Sequence, residues 1–256
     1  MQFIRYQVGS QPATYGWVLG NKVGAVEGSI FGQYRRQEAS LPLASVRLLA
    51  PVEPSKIVCI GRNYVEHAHE HGAEVPDLPL IFLKPPSAVI GPGDKIILPP
   101  QSQRVEHEAE LVVVIGKTCR WAPAESALDY VFGYTIGLDI TARDLQRRDG
   151  QWTRGKGFDT FCPLGPWIET DLDPADTLIT CHVNEEMRQM ASTRDMVFTV
   201  RQLIAFISSV MTLQPGDVIM TGTPAGVGPL LAGDTIRATI EGIGTLQNLV
   251  ASPSAS

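Results

Sequence analysis

The sequence predicts an α+β protein in which strands dominate. Most of the chain alternates short apolar runs with turn residues, and the runs LIFLK, LVVVIG, YTIGLDI, DVIMTG and TIRATI are rich in residues that favour strands. Two segments follow helical patterns instead. Apolar residues recur at helical spacing from Val200 to Met211, and Thr199 with Gln202 resembles a capping box, which together predict a helix over 200–213. The segment from about residue 65 to residue 72 predicts a second helix.

The first 52 residues predict a small amino-terminal β domain. Three runs, FIRYQ, TYGWVLG and KVGAVEG, have strand composition and are separated by Gly, Ser, Gln and Pro. The stretch Pro51-Val52-Glu53-Pro54 is stiff and poor in backbone donors, as expected of a linker. We therefore place a domain boundary after residue 52, with a larger strand-rich domain over 53–256. The low-complexity tail ASPSAS, residues 251–256, is predicted to be disordered.

The charge and composition of the chain argue against several functions. The formal net charge is −6 without any basic block, so nucleic acid is not an expected partner. The four cysteines are widely separated and form no Cys-x-x-Cys pair, so neither a zinc knot nor a disulfide scaffold is predicted. No window reaches the roughly 18 apolar residues of a membrane span, and the amino terminus lacks the pattern of a leader peptide. We expect a cytoplasmic protein that does not bind membranes.

Acidic residues cluster in the segment VEHEAE, residues 105–110. If this segment is one strand, Glu106, Glu108 and Glu110 point to the same face, just before the apolar run LVVVI. Like charges on one face repel, and near a buried strand the repulsion costs several kcal/mol unless a cation or a proton compensates it. A divalent cation compensates best. The alternative is a solvated strand edge, on which such acidic alternation is common.

Asp139 ends the apolar run GYTIGL and therefore adds a third carboxylate to the candidate site. Its position beside small glycines suggests that a ligand approaches the backbone closely. The alternative role of Asp139 is to cap a helix that starts near Thr141. Three oxygen ligands without neighbouring sulfur favour Mg²⁺ or Mn²⁺, are compatible with Ca²⁺ and disfavour Zn²⁺.

Three of the five histidines lie in the segment NYVEHAHEH. His67 and Glu70 are three residues apart and share a face of the predicted helix, where the carboxylate would raise the basicity of the imidazole and make it a better general base. The two residues could thus form a water-activating dyad. His67 and His71 could instead bind a metal, although the glutamate of the zincin pattern is absent. The remaining alternative is an exposed polar helix with incidental histidines, and His69 and His71 receive no role.

Glycines mark three further candidates. The segment TGTPAGVG could cradle an anion on its backbone N–H groups or form a turn beside an active site, and its spacing matches neither the dinucleotide fingerprint nor the P-loop. Lys156 lies between two glycines, and Arg62 follows Gly61. Either cation could approach a ligand closely, and the alternative for both is a surface turn.

Several motifs, taken in order, resemble the fumarylacetoacetate hydrolase superfamily. They are GRNYVEHAHEHG, VEHEAELVVVIG, GYTIGLDITARDLQ, WTRGKGFDTFCPLGPWI, VNEEMRQ and VIMTGTPAGVG. The resemblance begins at about residue 56 and includes the relative spacing of the motifs. It implies a catalytic domain folded as a rolled mixed β-sandwich, a small amino-terminal domain, and a homodimer.

The resemblance also assigns roles to individual residues. It implies Glu108, Glu110 and Asp139 as ligands of Mg²⁺ or Mn²⁺, His67 and Glu70 as a catalytic dyad, Lys156 as an active-site lysine, and Arg62, Gln146, Gly222 and Thr223 as substrate contacts. Glu106 has no such role. One departure is Glu185, which stands where the family usually has glycine, in a predicted turn.

A site of this kind would act on a small oxo-acid through an enolate. Cleaving the bond beside a 2-oxo acid leaves an enolate, whose charge a metal on the carboxylate and 2-oxo oxygens would stabilise. Because both dyad residues are present, the leading hypothesis is hydrolysis of a carbon–carbon bond in an acylpyruvate. The nearest alternatives are oxaloacetate decarboxylation and isomerisation of a 5-carboxymethyl-2-hydroxymuconate type. An alternative of a different class is a non-enzymatic metal-binding scaffold.

Overall fold

The computed structural model describes residues 1–70, 72 and 74–253, and strands predominate among them. The strands of the amino-terminal segment are β1 (Gln2–Gln7), β2 (Thr14–Leu19), β3 (Lys22–Gly28), β4 (Tyr34–Arg36), β5 (Leu41–Pro42) and β6 (Arg47–Leu49). The later strands are β7 (Ile57–Gly61), β8 (Leu80–Lys84), β9 (Val89–Ile90), β10 (Lys95–Ile97), β11 (Val105–His107), β12 (Ala109–Ile115), β13 (Val131–Leu138), β14 (Thr141–Ala142), β15 (Cys162–Glu169), β16 (Leu178–Val183), β17 (Glu186–Ser192), β18 (Val218–Met220), β19 (Gly228–Pro229), β20 (Thr235–Ile240) and β21 (Gly244–Ala251). The α-helices are α1 (Val65–Glu70), α2 (Arg143–Asp149), α3 (Thr153–Lys156) and α4 (Val200–Val210), and short 3-10 helices span Leu43–Ser45, Pro86–Ala88, Ala124–Tyr130 and Thr193–Asp195.

The described strands form three sheets, of which the two larger ones mix parallel and antiparallel pairs and the smallest is antiparallel. The largest has 13 strands, with the order β4-β3-β2-β1-β15-β13-β12-β18-β7-β8 and with β5, β6 and β9 paired to β3, β1 and β15. A five-stranded sheet has the order β10-β21-β20-β16-β17, and a three-stranded sheet has the order β14-β11-β19. The predicted mostly β fold is therefore confirmed.

Strand β12 lies at the centre of the structure and is buried on both faces. Leu111 and Val113 belong to a core that also contains side chains of β16, β20 and α4, so this core lies between the large and the five-stranded sheets. Val112 and Val114 point the other way, into a core that contains Phe3 of the amino-terminal segment. Two buried faces explain why the run LVVVI is continuously apolar rather than alternating.

The predicted amino-terminal strands are present as β1, β2 and β3. They continue the large sheet, because β1 pairs antiparallel with β15, with Phe3 opposite Ile168. The predicted boundary after residue 52 falls between the end of β6 and the start of β7. Of the tail predicted to be disordered, Ala251 instead ends β21, and residues 254–256 lie outside the described residues.

The predicted helix over 200–213 is confirmed, with its capping box, as α4. The Thr199 side chain accepts a hydrogen bond from the Gln202 backbone N–H, and the Gln202 side chain accepts one from the Thr199 backbone N–H at 2.8 Å. The helix ends at Val210 because Met211 has extended backbone angles, so the predicted end was three residues too late.

The cysteines belong to the buried interior of the protein. All four are free and buried. Within the described ranges, the helices are too short and too polar to cross a membrane.

Candidate functional site

A pocket of about 270 Å³ contains most of the predicted site residues. Those that line it are His67, Glu108, Glu110, Lys156, Arg62, Gln146 and Thr223, and they are joined by Ile60, Gly61, Phe82, Arg143, Arg147, Gly150 and Trp152. Asp139, Glu70 and Gly222 do not line the pocket, but each contacts or approaches a residue that does. The structure thus brings together residues from distant parts of the sequence.

The pairing of β12 with β13 positions the three candidate metal ligands. Glu110 lies on β12 opposite Gly137 of β13, and Asp139 directly follows β13. The backbone N–H of Asp139 donates to the carbonyl oxygen of Glu108 at 2.8 Å, which fixes the end of one strand against the other. One carboxylate oxygen from each of the three residues lies within 4.8 Å of the others, and all three side chains are buried. The alternative that these carboxylates lie on a solvated strand edge is therefore wrong.

The segment 105–110 is not one continuous strand, which corrects the prediction that Glu106 shares a face with the candidate ligands Glu108 and Glu110. The chain changes sheets at Glu108, because β11 pairs with β14 and β19 whereas β12 pairs with β13 and β18. Glu106 is turned toward arginines, and its carboxylate accepts hydrogen bonds from Arg143 at 2.7 Å and from Arg104 at 2.5 Å. These ion pairs compensate its charge without a metal ion.

Two lysines and one arginine compensate part of the negative charge of the site. Lys156 donates to Glu108 and to Asp139, both at 2.7 Å, and Lys84 donates to the second oxygen of Asp139 at 2.6 Å. Arg143 donates to the other oxygen of Glu108. Although burial raises the pKa of Glu108, the charges of Lys156 and Arg143 outweigh it and hold that pKa well below its usual value. Glu108 is therefore ionised at neutral pH.

Glu110 differs from the other two carboxylates. Its side chain is 1% exposed and accepts a hydrogen bond from the backbone N–H of Gly222 at 2.7 Å, but within the described ranges no lysine or arginine forms an ion pair with it. Burial raises its pKa well above the usual value, and the charges of Asp139 and Glu108 raise it further. A buried carboxylate that lacks a cationic partner and faces two other carboxylates fits a divalent cation. The donor set, three oxygens and no sulfur, suits Mg²⁺ or Mn²⁺.

Two alternatives from the sequence are wrong for physical reasons. Asp139 does not cap a helix, because α2 begins only at Arg143 and the Asp139 carboxylate is held by two lysines. Lys156 is not in a surface turn, since it ends the short helix α3 with a side chain that is 2% exposed. Burial lowers the pKa of Lys156, but the carboxylates of Asp139 and Glu108 raise it above its usual value, so the ammonium group keeps its charge.

His67 and Glu70 form the second part of the site on α1. His67 is buried and lines the pocket, and its Nδ1 atom lies 3.4 Å from a Glu70 carboxylate oxygen. Burial raises the pKa of Glu70, against the lowering effect of a hydrogen bond from the Gly226 backbone N–H. The alternative in which the histidines are incidental residues on an exposed polar helix is thus wrong for His67. It does fit His69, which is exposed. The alternative His67/His71 metal pair cannot be compared, because His71 lies outside the described residues.

The TGTPAGVG loop binds carboxylates of its own chain. The backbone N–H of Gly222 donates to Glu110, and the backbone N–H of Gly226 donates to Glu70 at 3.2 Å. Gly222 has a φ of +96°, and a Cβ atom there would lie 2.8 Å from the Cβ of Asn63, so glycine is required. The predicted turn beside the site is present, and Thr223 is the residue of this loop that reaches the pocket.

Helix α2 supplies residues that the sequence predictions missed. Gln146 was predicted, but its side chain oxygen accepts a hydrogen bond from Arg143 at 2.6 Å, and Arg143 itself lines the pocket. Arg147 also lines the pocket. The signal for Arg143 was its place in the motif TARDLQ between the third ligand and Gln146, and the signal for Lys84 was a lysine at the end of the apolar run LIFLK.

Aromatic side chains form one wall of the pocket. The rings of Phe82 and Trp152 meet edge to face with centroids 5.1 Å apart, and Lys156 Nζ lies 5.0 Å from the centroid of Phe82. Trp152 packs directly on the backbone of Gly61, where a Cβ atom would lie 2.8 Å from the indole ring. The next residue, Arg62, has a left-handed φ of +59°, is half-buried and lines the pocket.

Comparison with known proteins places this fold and site in a family. The family model described as fumarylacetoacetate (FAA) hydrolase C-terminal matches residues 56–251. The chain belongs to the fumarylacetoacetate hydrolase family. A second family model, described as Rv2993c-like, N-terminal, matches residues 1–51. The resemblance inferred from the motifs is thus confirmed.

Several members of the fumarylacetoacetate hydrolase family are similar over most of this chain. Human oxaloacetate tautomerase FAHD2B, mitochondrial, is 48% identical over 223 residues, which cover 82% of this chain and 71% of the relative. The structure of a 2-hydroxyhepta-2,4-diene-1,7-dioate isomerase from Mycobacterium marinum is 45% identical, with a TM-score of 0.92 and full coverage of both chains at 100%. Maleylpyruvate hydrolase from Sphingobium sp. SYK-6, in complex with manganese(II) ion and pyruvate, is 37% identical, with a TM-score of 0.81 and coverage of 99% and 100%.

These relatives confirm the mostly β fumarylacetoacetate hydrolase fold and the assignment to a family of enzymes. Their names include a tautomerase, an isomerase and a hydrolase, so one fold supports several reactions. Which of these reactions this protein catalyses depends on the chemistry of its pocket.

We expect Mn²⁺ to raise the melting temperature of the metal-free protein, because a cation bound to the triad relieves carboxylate repulsion. At a concentration of 100 times Kd, binding contributes about 2.7 kcal/mol, which corresponds to a rise of about 5–10 °C for a protein of this size. Differential scanning fluorimetry with Mn²⁺ and with EDTA measures the shift. Glu110→Gln should greatly reduce the rise, whereas Glu241→Gln, at an exposed position, should keep it. An equal rise in Glu110→Gln would contradict the assignment of this ligand.

Proposed function

We propose that this protein is a metal-dependent enzyme that acts on a small 2-oxo acid through an enolate. The observation that carries the proposal is a buried triad of carboxylates, two of which line a pocket that His67 also lines, together with a fourth carboxylate, Glu70, that approaches His67. Within the described ranges Glu110 is buried and has no cationic partner, which favours a divalent ion at the triad. His67 lines the same pocket and could transfer a proton to or from a substrate there.

The metal and the chain would have separate tasks. Mg²⁺ or Mn²⁺ held by Glu108, Glu110 and Asp139 would supply the positive charge that stabilises an enolate. Lys156 stays charged between Glu108 and Asp139, and its ammonium group would stabilise a developing oxyanion at the pocket wall. The similar maleylpyruvate hydrolase, solved with manganese(II) and pyruvate, supports this choice of ion and of a 2-oxo acid.

His67 is the candidate general base. Its side chain lines the pocket, and Glu70 lies on the side of Nδ1, so the carboxylate can orient the ring and stabilise its protonated form. The Gly226 backbone N–H holds Glu70 in turn. Activation of a water molecule requires a proton acceptor and a group that orients it. His67 would be the acceptor, and Glu70, held by the 222–226 loop, would orient it.

The leading reaction is hydrolysis of a carbon–carbon bond in an acylpyruvate. His67 would take a proton from water, the hydroxide would attack the distal carbonyl carbon, and the bond between that carbon and the enolate carbon would break. The products are a carboxylic acid and the enolate of pyruvate, which takes up a proton. The His67–Glu70 pair favours this reaction, because water must be deprotonated inside a buried site.

The second candidate is tautomerisation of oxaloacetate or of a similar 2-oxo acid. The relative that favours it is human oxaloacetate tautomerase FAHD2B, at 48% identity. The reaction needs only a proton taken from carbon 3 and a proton returned to the 2-oxo oxygen, and His67 could carry it between these atoms. The same residues therefore serve both candidates, and only the fate of the enolate differs.

Two arginines indicate how the pocket would recognise a second carboxylate. Arg143 and Lys156 are already paired with carboxylates of the chain. Arg62 and Arg147 line the same pocket, and within the described ranges neither has an Asp or Glu oxygen within 4.0 Å. A guanidinium group without a partner at a pocket wall suits a carboxylate of the substrate, which it can bind through two hydrogen bonds.

A substrate panel separates the candidate reactions. We expect Mg²⁺- or Mn²⁺-dependent turnover of acetylpyruvate or fumarylpyruvate, abolished by EDTA, because the enolate needs the charge of the metal. Conversion of oxaloacetate between keto and enol forms without cleavage, followed by ultraviolet absorbance, would favour the tautomerase. Loss of CO₂ from oxaloacetate without hydrolysis of any acylpyruvate would favour a decarboxylase and contradict the leading reaction. Tight Mn²⁺ binding with no turnover of any substrate would favour a non-enzymatic scaffold.

Replacing His67 by alanine should lower kcat by about 10²- to 10⁴-fold for hydrolysis, the usual contribution of a general base. Steady-state kinetics on the best acylpyruvate of the panel measures the loss. His69→Ala is the matched control, since His69 is exposed on the same helix, and it should keep wild-type activity. Hydrolysis retained in His67→Ala would refute the role of the dyad.

Arg147→Gln should lower kcat/KM by about 10- to 100-fold for fumarylpyruvate, which has a second carboxylate, because it removes a charged hydrogen bond. Acetylpyruvate, which lacks that carboxylate, should be affected little. Arg148→Gln is the control, since the adjacent Arg148 does not line the pocket. An equal loss for both substrates would exclude recognition of the second carboxylate by Arg147.

A further inference from the structure

Gln189 links two segments of the site, 107–109 and 223–224, without lining the pocket. It lies on β17, at the edge of the five-stranded sheet, and its side chain is 1% exposed. Its oxygen accepts a hydrogen bond from the Ala109 backbone N–H at 3.1 Å and lies 3.3 Å from Nδ1 of His107. Its nitrogen donates to the Thr223 hydroxyl and to the Pro224 carbonyl, both at 2.8 Å. One buried amide thus contacts polar groups of two different segments.

The contacts of Gln189 converge on Ala109, the residue between two candidate metal ligands. The Ala109 N–H binds Gln189, and the Ala109 carbonyl oxygen accepts a hydrogen bond from the Thr223 hydroxyl at 2.9 Å. The Thr223 hydroxyl in turn accepts from Gln189. These three hydrogen bonds form a closed ring that fixes the peptide groups on both sides of Ala109. The backbone positions of Glu108 and Glu110 therefore depend on the ring.

The same part of β17 also supports the loop that holds the dyad. A Cβ atom at Gly226 would overlap the carbonyl oxygen of Arg188, so the loop packs directly on the backbone beside Gln189. The Gly226 N–H donates to Glu70, and the Gly222 N–H donates to Glu110. Arg188 and Gln189 therefore contact the loop at Gly226 and at Thr223. These contacts support both the carboxylate triad and the His67–Glu70 dyad.

The chemistry of the amide explains why position 189 requires glutamine. The site presents one N–H donor from Ala109 and one carbonyl acceptor from Pro224, and a neutral amide matches both. A carboxylate would match the donor but would repel the carbonyl oxygen. An apolar side chain would leave buried groups without partners, which is costly.

We propose that Gln189 is a positioning residue that sets the metal affinity of the site by holding the backbone of Glu108 and Glu110 against the 222–226 loop. The proposal rests on the proposed function, because it assumes that these carboxylates bind a divalent ion. Residues that orient metal ligands typically contribute 10- to 100-fold to metal affinity. Gln189 acts through Ala109 and Thr223 and does not touch the substrate pocket itself.

The test compares Mn²⁺ binding in Gln189→Leu, Gln189→Glu and a matched control. Asn248→Leu is the control, because Asn248 is also a buried amide that donates two hydrogen bonds, to the carbonyls of Gly91 and Asp94, but it does not contact the site. Mn²⁺ dissociation constants come from electron paramagnetic resonance of free Mn²⁺. Amide hydrogen exchange of Ala109 in metal-free protein reports on the ring of hydrogen bonds without any metal.

We expect Gln189→Leu to weaken Mn²⁺ binding by about 10- to 100-fold and to accelerate exchange of the Ala109 amide. Gln189→Glu keeps the volume of the side chain and an oxygen that can accept from the Ala109 N–H, so it still provides a test if the leucine variant does not fold. It should weaken Mn²⁺ binding less than Gln189→Leu does. Asn248→Leu should bind Mn²⁺ as the wild type does.

Wild-type affinity in both Gln189 variants would overturn the proposal. Equal weakening in Asn248→Leu would also overturn it, because the effect would then come from general loss of stability. Failure of the wild-type protein to bind Mn²⁺ would instead refute the proposed function. In that case, unchanged hydrogen exchange of the Ala109 amide in Gln189→Leu would separately exclude the role of Gln189 in positioning the backbone of Glu108 and Glu110.

Discussion

The burial of Glu108, Glu110 and Asp139 within one small volume is the constraint on which the rest of the site depends. Three carboxylates whose oxygens lie within 4.8 Å of one another repel strongly once water is removed. The fold must therefore bring cations to the same place or leave room for one. Lys84, Lys156 and Arg143 come from three different elements, and each points its charge at this cluster.

The negative charges of the three carboxylates are compensated unevenly. Glu108 and Asp139 are each held by two cationic side chains, whereas Glu110 receives only a backbone N–H among the residues that the structure describes. The resulting rise in the pKa of Glu110, caused by burial and by the two neighbouring carboxylates, marks the position where positive charge is lacking. A divalent ion bound by the triad would complete the balance of charge in a pocket that His67 also lines.

The backbone around the triad is fixed from several directions, as a precise ligand geometry requires. Pairing of β12 with β13 sets the separation of Glu110 and Asp139, and the loop after β18 reaches both Glu110 and Glu70 through glycine N–H groups. The edge strand β17 supports this loop from the five-stranded sheet. The site thus lies where the 13-stranded sheet, the five-stranded sheet and α1 meet. No single element contains it.

Strand alternation did not choose among the acidic residues, and the family resemblance selected Glu108, Glu110 and Asp139 as the candidate ligands. By itself the sequence determined local features, namely the strand-rich fold and the capped helix α4. These follow from short-range patterns, such as the apolar run of β12 or the Thr199–Gln202 box. Tertiary structure decided the rest. The change of sheets at Glu108 leaves Glu106 outside the cluster of candidate ligands. Strand alternation cannot reveal this change, because it depends on which other strands pair with β11 and with β12. The roles of Lys84, Arg143 and Gln189 likewise depend on contacts between residues 35 or more positions apart, which only the folded chain brings together.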